Sequence, residues 1–244
     1  IINNLAILEI IVIDDHSTDD SWKIIEYYKN KHPEIIRSFK NKNKGACSAR
    51  NYGYEQSKGK YIQFMDSDDM LSKDKLAIQL KELNSNPGAV ANCGWVHFEE
   101  EPLSDDYIPQ SIDKSYLDPI NWLLDSWNGG GMGQTGCWLI PRELIEKAGL
   151  WNESLLKNQD GEFMARVLCQ ATSIVFSKNV FSYYRQPNIG NVSQQVSIDS
   201  VKSLLKSYKL YEHVLEYDSR LEVREALAKN FNAFIYVNWN TSRV

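Results

Sequence analysis

The chain has 244 residues, room for one large domain or for a domain with an appendage. With 43% hydrophobic and 24% charged residues it is not a disordered polymer, and a net charge of −5 with no long Lys/Arg run argues against a nucleic-acid-coating surface. Cys47, Cys93, Cys137 and Cys169 are scattered without metal-ligand or disulfide spacing, which fits a reducing cytoplasm.

Taken in chain order, residues 8–13 form a β-branched apolar run that reads as a buried parallel strand. A loop rich in capping residues follows, then a helix over 21–31 with Trp22, Ile25 and Tyr28 on one stripe, ended by Pro33. Residues 35–39 predict a second strand, 45–57 a second helix closed by Gly59, and 61–65 a third strand. Leu76, Leu80 and Leu83 mark a third helix, and 89–98 a fourth strand. This alternation predicts an α/β layer fold with a mostly parallel sheet. Further on lie an acidic loop over 99–118, a Gly-rich run over 128–133 and a helix between Pro141 and Gly149. A helix over 161–169 and short strands over 174–176 and 181–184 follow. Two long amphipathic helices, 198–217 and 221–239, close the chain. We divide it into a catalytic unit, 1–195, and a helical appendage, 196–244, a candidate for acceptor choice, dimerisation or membrane approach. No apolar run is long enough to span a bilayer and no leader is visible, so any membrane contact would be peripheral, on the inner face.

Two acidic loops stand at the carboxyl ends of strands: Asp14-Asp15, and Asp66-Ser67-Asp68-Asp69. In a parallel sheet both ends face one crevice, where ligands bind. Hard carboxylate oxygens there suit Mg²⁺ or Mn²⁺, and such an ion suits a diphosphate. A carboxylate in the first loop can accept from a nucleobase N–H or ribose hydroxyls. The plainer alternatives are solvated aspartates beside a helix capped by Asp19 and Ser21, and a turn in which Asp69 or Ser72 caps the next helix.

Three strings in order, 10–19, 45–53 and 64–69, followed by Asn158-Gln159-Asp160-Gly161-Glu162, resemble the family 2 glycosyltransferases. The resemblance covers the first half of the chain and one later motif. It implies the glycosyltransferase A fold, a Rossmann-like nucleotide-sugar-binding domain, and an inverting transfer of a hexosyl or N-acetylhexosaminyl group. It implies that Asp15, with Asp14, contacts the nucleobase, uracil being favoured. Asp66 and Ser67 would lie near ribose or metal, and Asp68 would ligate Mn²⁺ or Mg²⁺ between the phosphates. Arg50 would approach the donor or form a structural salt bridge. Asp160, at a helix start, would be the general base or a plain N-cap. Gly136 and Trp138 would border the acceptor, Trp138 stacking on a sugar or packing in the core, with Glu162 beside them. The segment 186–195 would close over the donor.

The expected partners are a UDP-sugar and a saccharide or lipid-linked acceptor, in polysaccharide or cell-envelope synthesis. The family's opening strand, ending in Pro-x-Tyr-Asn-like residues, is not found before Leu8, so a missing first strand is expected. Two alternatives stay open: a nucleotidyltransferase, and a non-catalytic nucleotide-sugar-binding domain.

Overall fold

The computed structural model describes residues 8–102, 104–185 and 197–241; the segment 186–195 expected to close over the donor lies outside them. Strand β1 (Ile10–Asp14) leads through α1 (Ser21–Lys31) to β2 (Ile36–Lys40). β1 and β2 pair in parallel, Ile10 opposite Ile36 and Asp14 opposite Lys40. Helix α2 (Ala46–Gln56) follows, then β3 (Tyr61–Ile62), β4 (Met70–Leu71), α3 (Lys75–Ser85) and β5 (Val90–Phe98). Beyond these come α4 (Pro119–Asp125), β6 (Ile140–Pro141), α5 (Arg142–Ala148), α6 (Gln159–Leu168) and β7 (Ile174–Arg185). Helices α7 (Ile198–Val214) and α8 (Leu221–Thr241) complete the order.

The long β5–β7 ladder is parallel, like β1–β2, whereas the short β3–β6 and β4–β7 ladders are antiparallel. The expected α/β layering therefore holds, with antiparallel pairing confined to short segments. Two strands differ from their sequence reading. The strand expected over 61–65 pairs only at Tyr61 and Ile62, because the Gln63 side chain takes over and donates to the Phe64 and Gly136 carbonyls. The two strands expected near 174 and 181 are one. Cys93 pairs with Ser177 and Gly94 with Phe181, so residues 178–180 bulge out around Asn179, which holds a left-handed φ of 60°.

The core fills the space between the sheets and α4, α5 and α6, with Phe64, Trp151 and Phe163 at its centre. Trp151 stacks on Phe163 at 4.3 Å between ring centroids, and Phe64 meets both edge-on. Helix α7 packs against both α6 and α8. Its Ser203, Ser207 and Tyr211, spaced by one turn, reach the loop before α6. Ser203 Oγ accepts from the Leu156 and Lys157 N–H groups, while Asn158 Nδ2 donates to Ser207 Oγ at 2.9 Å and Tyr211 Oη at 2.7 Å. The C-terminal helices thus brace the start of α6.

Candidate active site

After Ile62 the chain passes through buried Phe64 into a tight turn, where the Asp69 N–H donates to the Asp66 carbonyl at 3.3 Å. The turn sorts its carboxylates. Asp66 is half-exposed and accepts from Arg50 at 2.6 Å. Asp68 is exposed, and among the described residues its backbone carbonyl accepts from Arg185 Nε at 3.1 Å. Ser67 is also exposed. Asp69 is buried and accepts from the Arg185 N–H at 3.0 Å. Burial, with the charges of Asp66 and Asp68 beside it, pushes the Asp69 carboxyl up to about 6. Neither Asp69 nor Ser72 caps α3: Ser72 Oγ accepts from the Phe181 N–H. Both residues tie the acidic turn to β7.

Helix α2 joins the two acidic loops. Ahead of its first turn the Gly45 N–H donates to both oxygens of Asp15, at 2.9 and 3.0 Å, and Asn41 Nδ2 adds a bond at 2.8 Å. An anion is favoured at this helix end. Among the described residues these contacts take about three of the four lone-pair sites of the carboxylate and leave one on Oδ2. Asp14, by contrast, is 5% exposed and shapes the loop, accepting weakly from the Ser17 N–H. One turn into α2, Arg50 bonds Asp66, reaches Gln159 Oε1 at 3.4 Å and lies over the Trp151 ring at 4.5 Å. Of the two readings of Arg50, the ion pair is present here; it fixes Asp66 and leaves the cation close to α6.

Asp160 sits in the first turn of α6. The preceding Asn158 holds a left-handed φ of 56°, locked by its bonds to α7. Free N–H groups at a helix start lower a carboxyl pKa, and the Gly161 N–H and Arg50 act in that direction. Burial outweighs them, and the Asp160 carboxyl lies above its ordinary range. Asp160 lines a cavity of about 10 Å³ with Phe64, Thr135, Trp138, Trp151 and Met164. That space fits about one water and no sugar ring, so a sugar would approach from the open side of the cleft.

The three residues expected beside the acceptor make structural contacts here, and Trp138 also lines the Asp160 cavity. Trp138 is 2% exposed and packs edge-on against Trp122 at 5.1 Å, so its ring is core. Gly136 is buried under Ser182, with no room for a Cβ. Glu162 is 2% exposed and accepts from Nε and Nη2 of Arg166, at 2.8 and 2.9 Å. Arg166 in turn donates to the carbonyls of Ala148, Gly149 and Leu150, clamping α6 to the segment that leads into Trp151. Glu162→Gln should therefore lower Tm by about 5–10 °C, because it leaves a charge-paired guanidinium short of its partner. An unchanged Tm in differential scanning calorimetry would contradict the structural role.

The sequence reading places Asp69 in the acidic loop and Gln159 in the later motif but gives Trp151 no part in this cleft. Nor does it give Tyr184 or Arg185 a role. Arg185 grips the acidic turn, lies over Phe98 at 4.4 Å and donates to the Glu99 carbonyl. Tyr184 lies within electrostatic reach of Asp66, Asp68, Asp69 and Asp160, and burial with those charges raises its phenol pKa. The signal available was the Arg at the end of a β-rich run, facing an acidic turn in the same sheet.

Among the described residues no three acidic, His or Cys side chains gather into a ready-made metal cage. The donor set suits another mode. A Mg²⁺-like ion takes one or two carboxylates and completes its shell with water and substrate phosphates. Asp68 offers one exposed carboxylate beside the cleft, without an ion-pair partner among the described residues, which fits that arrangement.

The profile of the family described as "Glycosyl transferase family 2" matches residues 2–149. The chain belongs to this family. A relative from Haemophilus influenzae, described as an uncharacterized glycosyltransferase, is 30% identical over 205 residues, covering 84% of this chain and 76% of its own. The cholesterol galactosyltransferase of Borreliella burgdorferi is 23% identical over 96% of this chain and 69% of its own. S. aureus TarS 1-349, solved with UDP, superposes with a TM-score of 0.67 at 18% identity, over 93% of this chain and 62% of that one. The mannosyltransferase PcManGT from Pyrobaculum calidifontis, solved with GDP-Man and Mn²⁺, gives a TM-score of 0.57 at 16% identity, over 94% and 65%. The chain thus spans less than two thirds of these two solved chains, and its fold is the glycosyltransferase A fold. In this family 2 member the profile covers both acidic loops and Arg50, while Asp160 lies beyond it.

Proposed function

We propose that this family 2 protein transfers a sugar from a nucleoside-diphosphate sugar, UDP being favoured, to a hydroxyl of a saccharide, free or lipid-linked, with inversion at the anomeric carbon. The observation that carries this reading is the Asp66–Arg50–Gln159 bridge, which brings the acidic turn and the start of α6 to one cleft beside Asp160. Asp15, at the head of the same helix as Arg50, would accept from the nucleobase. Asp68 would hold Mn²⁺ or Mg²⁺ against the diphosphate. When bound, such an ion supplies positive charge that stabilises the leaving diphosphate.

Asp160 acts as the base. Its carboxylate takes the proton of the acceptor hydroxyl while that oxygen bonds to the anomeric carbon and the bond to the diphosphate oxygen breaks. Arg50 keeps Asp66 in place and moderates the charge near Asp160. Gly161 and the α7 bonds through Asn158 hold the base in position. Among the described residues no helix is long and apolar enough to cross a membrane.

Two readouts test this. Incubation with UDP-sugars, Mn²⁺ and a saccharide should release UDP, whereas pyrophosphate would mean nucleotidyl transfer and would overturn the reading. The pH profile is the second. A base must be ionised to work, and burial raises the Asp160 pKa. Turnover should therefore be full at high pH and fall on acidification through a value above the ordinary carboxylate range. A rate unchanged down to the ordinary range would contradict the assignment.

A further inference from the structure

Strands β5 and β7 carry a cluster of rings that the transfer chemistry above leaves unused. Trp95 and His97 alternate onto one face of β5, and His97 stands opposite Tyr184 in the parallel register. The ring centroids lie 4.8 Å apart for Trp95–His97, 5.4 Å for His97–Tyr184 and 6.1 Å for Trp95–Tyr184. His97 is exposed, whereas Trp95 and Tyr184 are half-buried. Neighbouring Val96 and Phe98 point to the opposite face and are core.

The cluster is anchored toward the cleft. The Trp95 indole N–H donates to the Met132 carbonyl at 2.8 Å, and Gln110 fixes the same carbonyl at 3.0 Å. Gly133 and Thr135, next along that segment, line the cavity that holds Asp160. Tyr184 immediately precedes Arg185, which grips the acidic turn. The rings therefore border the cleft between the donor side, marked by Asp68, and the base.

We propose that Trp95, His97 and Tyr184 form the platform for the acceptor saccharide, a reading that rests on the proposed glycosyl transfer. The face of a pyranose that carries axial C–H groups is apolar and suits an aromatic plane, while its equatorial hydroxyls need polar partners at the rim. Here the Trp95 ring supplies the plane, and the His97 imidazole and Tyr184 hydroxyl supply the partners. This moves the stacking role from Trp138, which is buried, to rings that keep accessible surface. It also selects a class of acceptor: a glycan end rather than a bare lipid or peptide hydroxyl.

Saturation-transfer NMR tests it with maltose, lactose, cellobiose and N,N′-diacetylchitobiose, each added to the protein holding UDP and Mn²⁺. Saturation should reach at least one disaccharide, strongest at its axial ring protons. Trp95→Ala and, separately, His97→Ala should weaken that disaccharide's binding by about five- to tenfold. Calorimetric UDP–Mn²⁺ affinity should stay near wild type in both variants, which also reports that they fold. If the wild type binds UDP–Mn²⁺ but none of the four disaccharides, or if binding survives both substitutions, the platform is wrong while the transferase reading stands. If the wild type fails to bind UDP–Mn²⁺, the transferase reading itself falls and the platform with it.

Discussion

Asp160→Asn is expected to lower kcat by about 10²–10⁴-fold while leaving UDP affinity close to wild type, the usual scale for removal of a general base. The substitution keeps size and helix position and removes only the capacity to take a proton. The surroundings of Asp160 make this a clean test. Asn158, locked by Ser207 and Tyr211, fixes the turn, and Gln159 keeps its contact with Arg50. The acidic limb of the pH profile should disappear with the carboxylate. Steady-state kinetics with calorimetry in parallel would decide it; retained turnover places the base elsewhere, and lost UDP affinity makes Asp160 a donor ligand instead.

The second large effect is expected at Asp68. Asp68→Ala should weaken UDP binding in the presence of Mn²⁺ by at least about tenfold, to the level measured with chelator. Its neighbours predict a different outcome. Asp66 is committed to Arg50, and Asp69 is committed to the backbone of Arg185, so neither is positioned to replace it. Asp69→Ala should act on the packing of β7 against the turn rather than on the metal dependence. Titration calorimetry of UDP with and without Mn²⁺ separates the cases. A Mn²⁺ dependence that survives in Asp68→Ala would remove this carboxylate from the metal site.

Local pattern made much of the fold legible. The runs at 8–13 and 35–39 were apolar and β-branched, and they became the parallel pair β1–β2. Leu76, Leu80 and Leu83 gave α3 its stripe before Pro87. The errors came from contacts distant in sequence. Nothing local shows that Gln63 would bond the Gly136 carbonyl and end β3 early. Nor does anything local show that Asn179 would let one strand bulge rather than break in two.

The site divides the same way. Acid loops at strand ends are visible because the carboxylates are contiguous with the apolar run. Which carboxylate is free is not visible, since that depends on Arg50 from one helix and Arg185 from another strand. Residue type alone does not tell a stacking ring from a core ring at Trp138, or an acceptor ligand from the partner of Arg166 at Glu162. The helices after residue 196 read as an appendage, yet Ser203, Ser207 and Tyr211 hold the loop that presents Asp160.

The central claim is that Asp68 and Asp160 address one bound nucleoside diphosphate. Anomalous diffraction from crystals soaked with UDP and MnCl₂ tests it directly. The account predicts one manganese peak between the Asp68 carboxylate and the diphosphate oxygens, with the open end of the diphosphate facing Asp160. A peak bound to other side chains, or UDP seated away from the Asp66–Arg50 bridge, would contradict it.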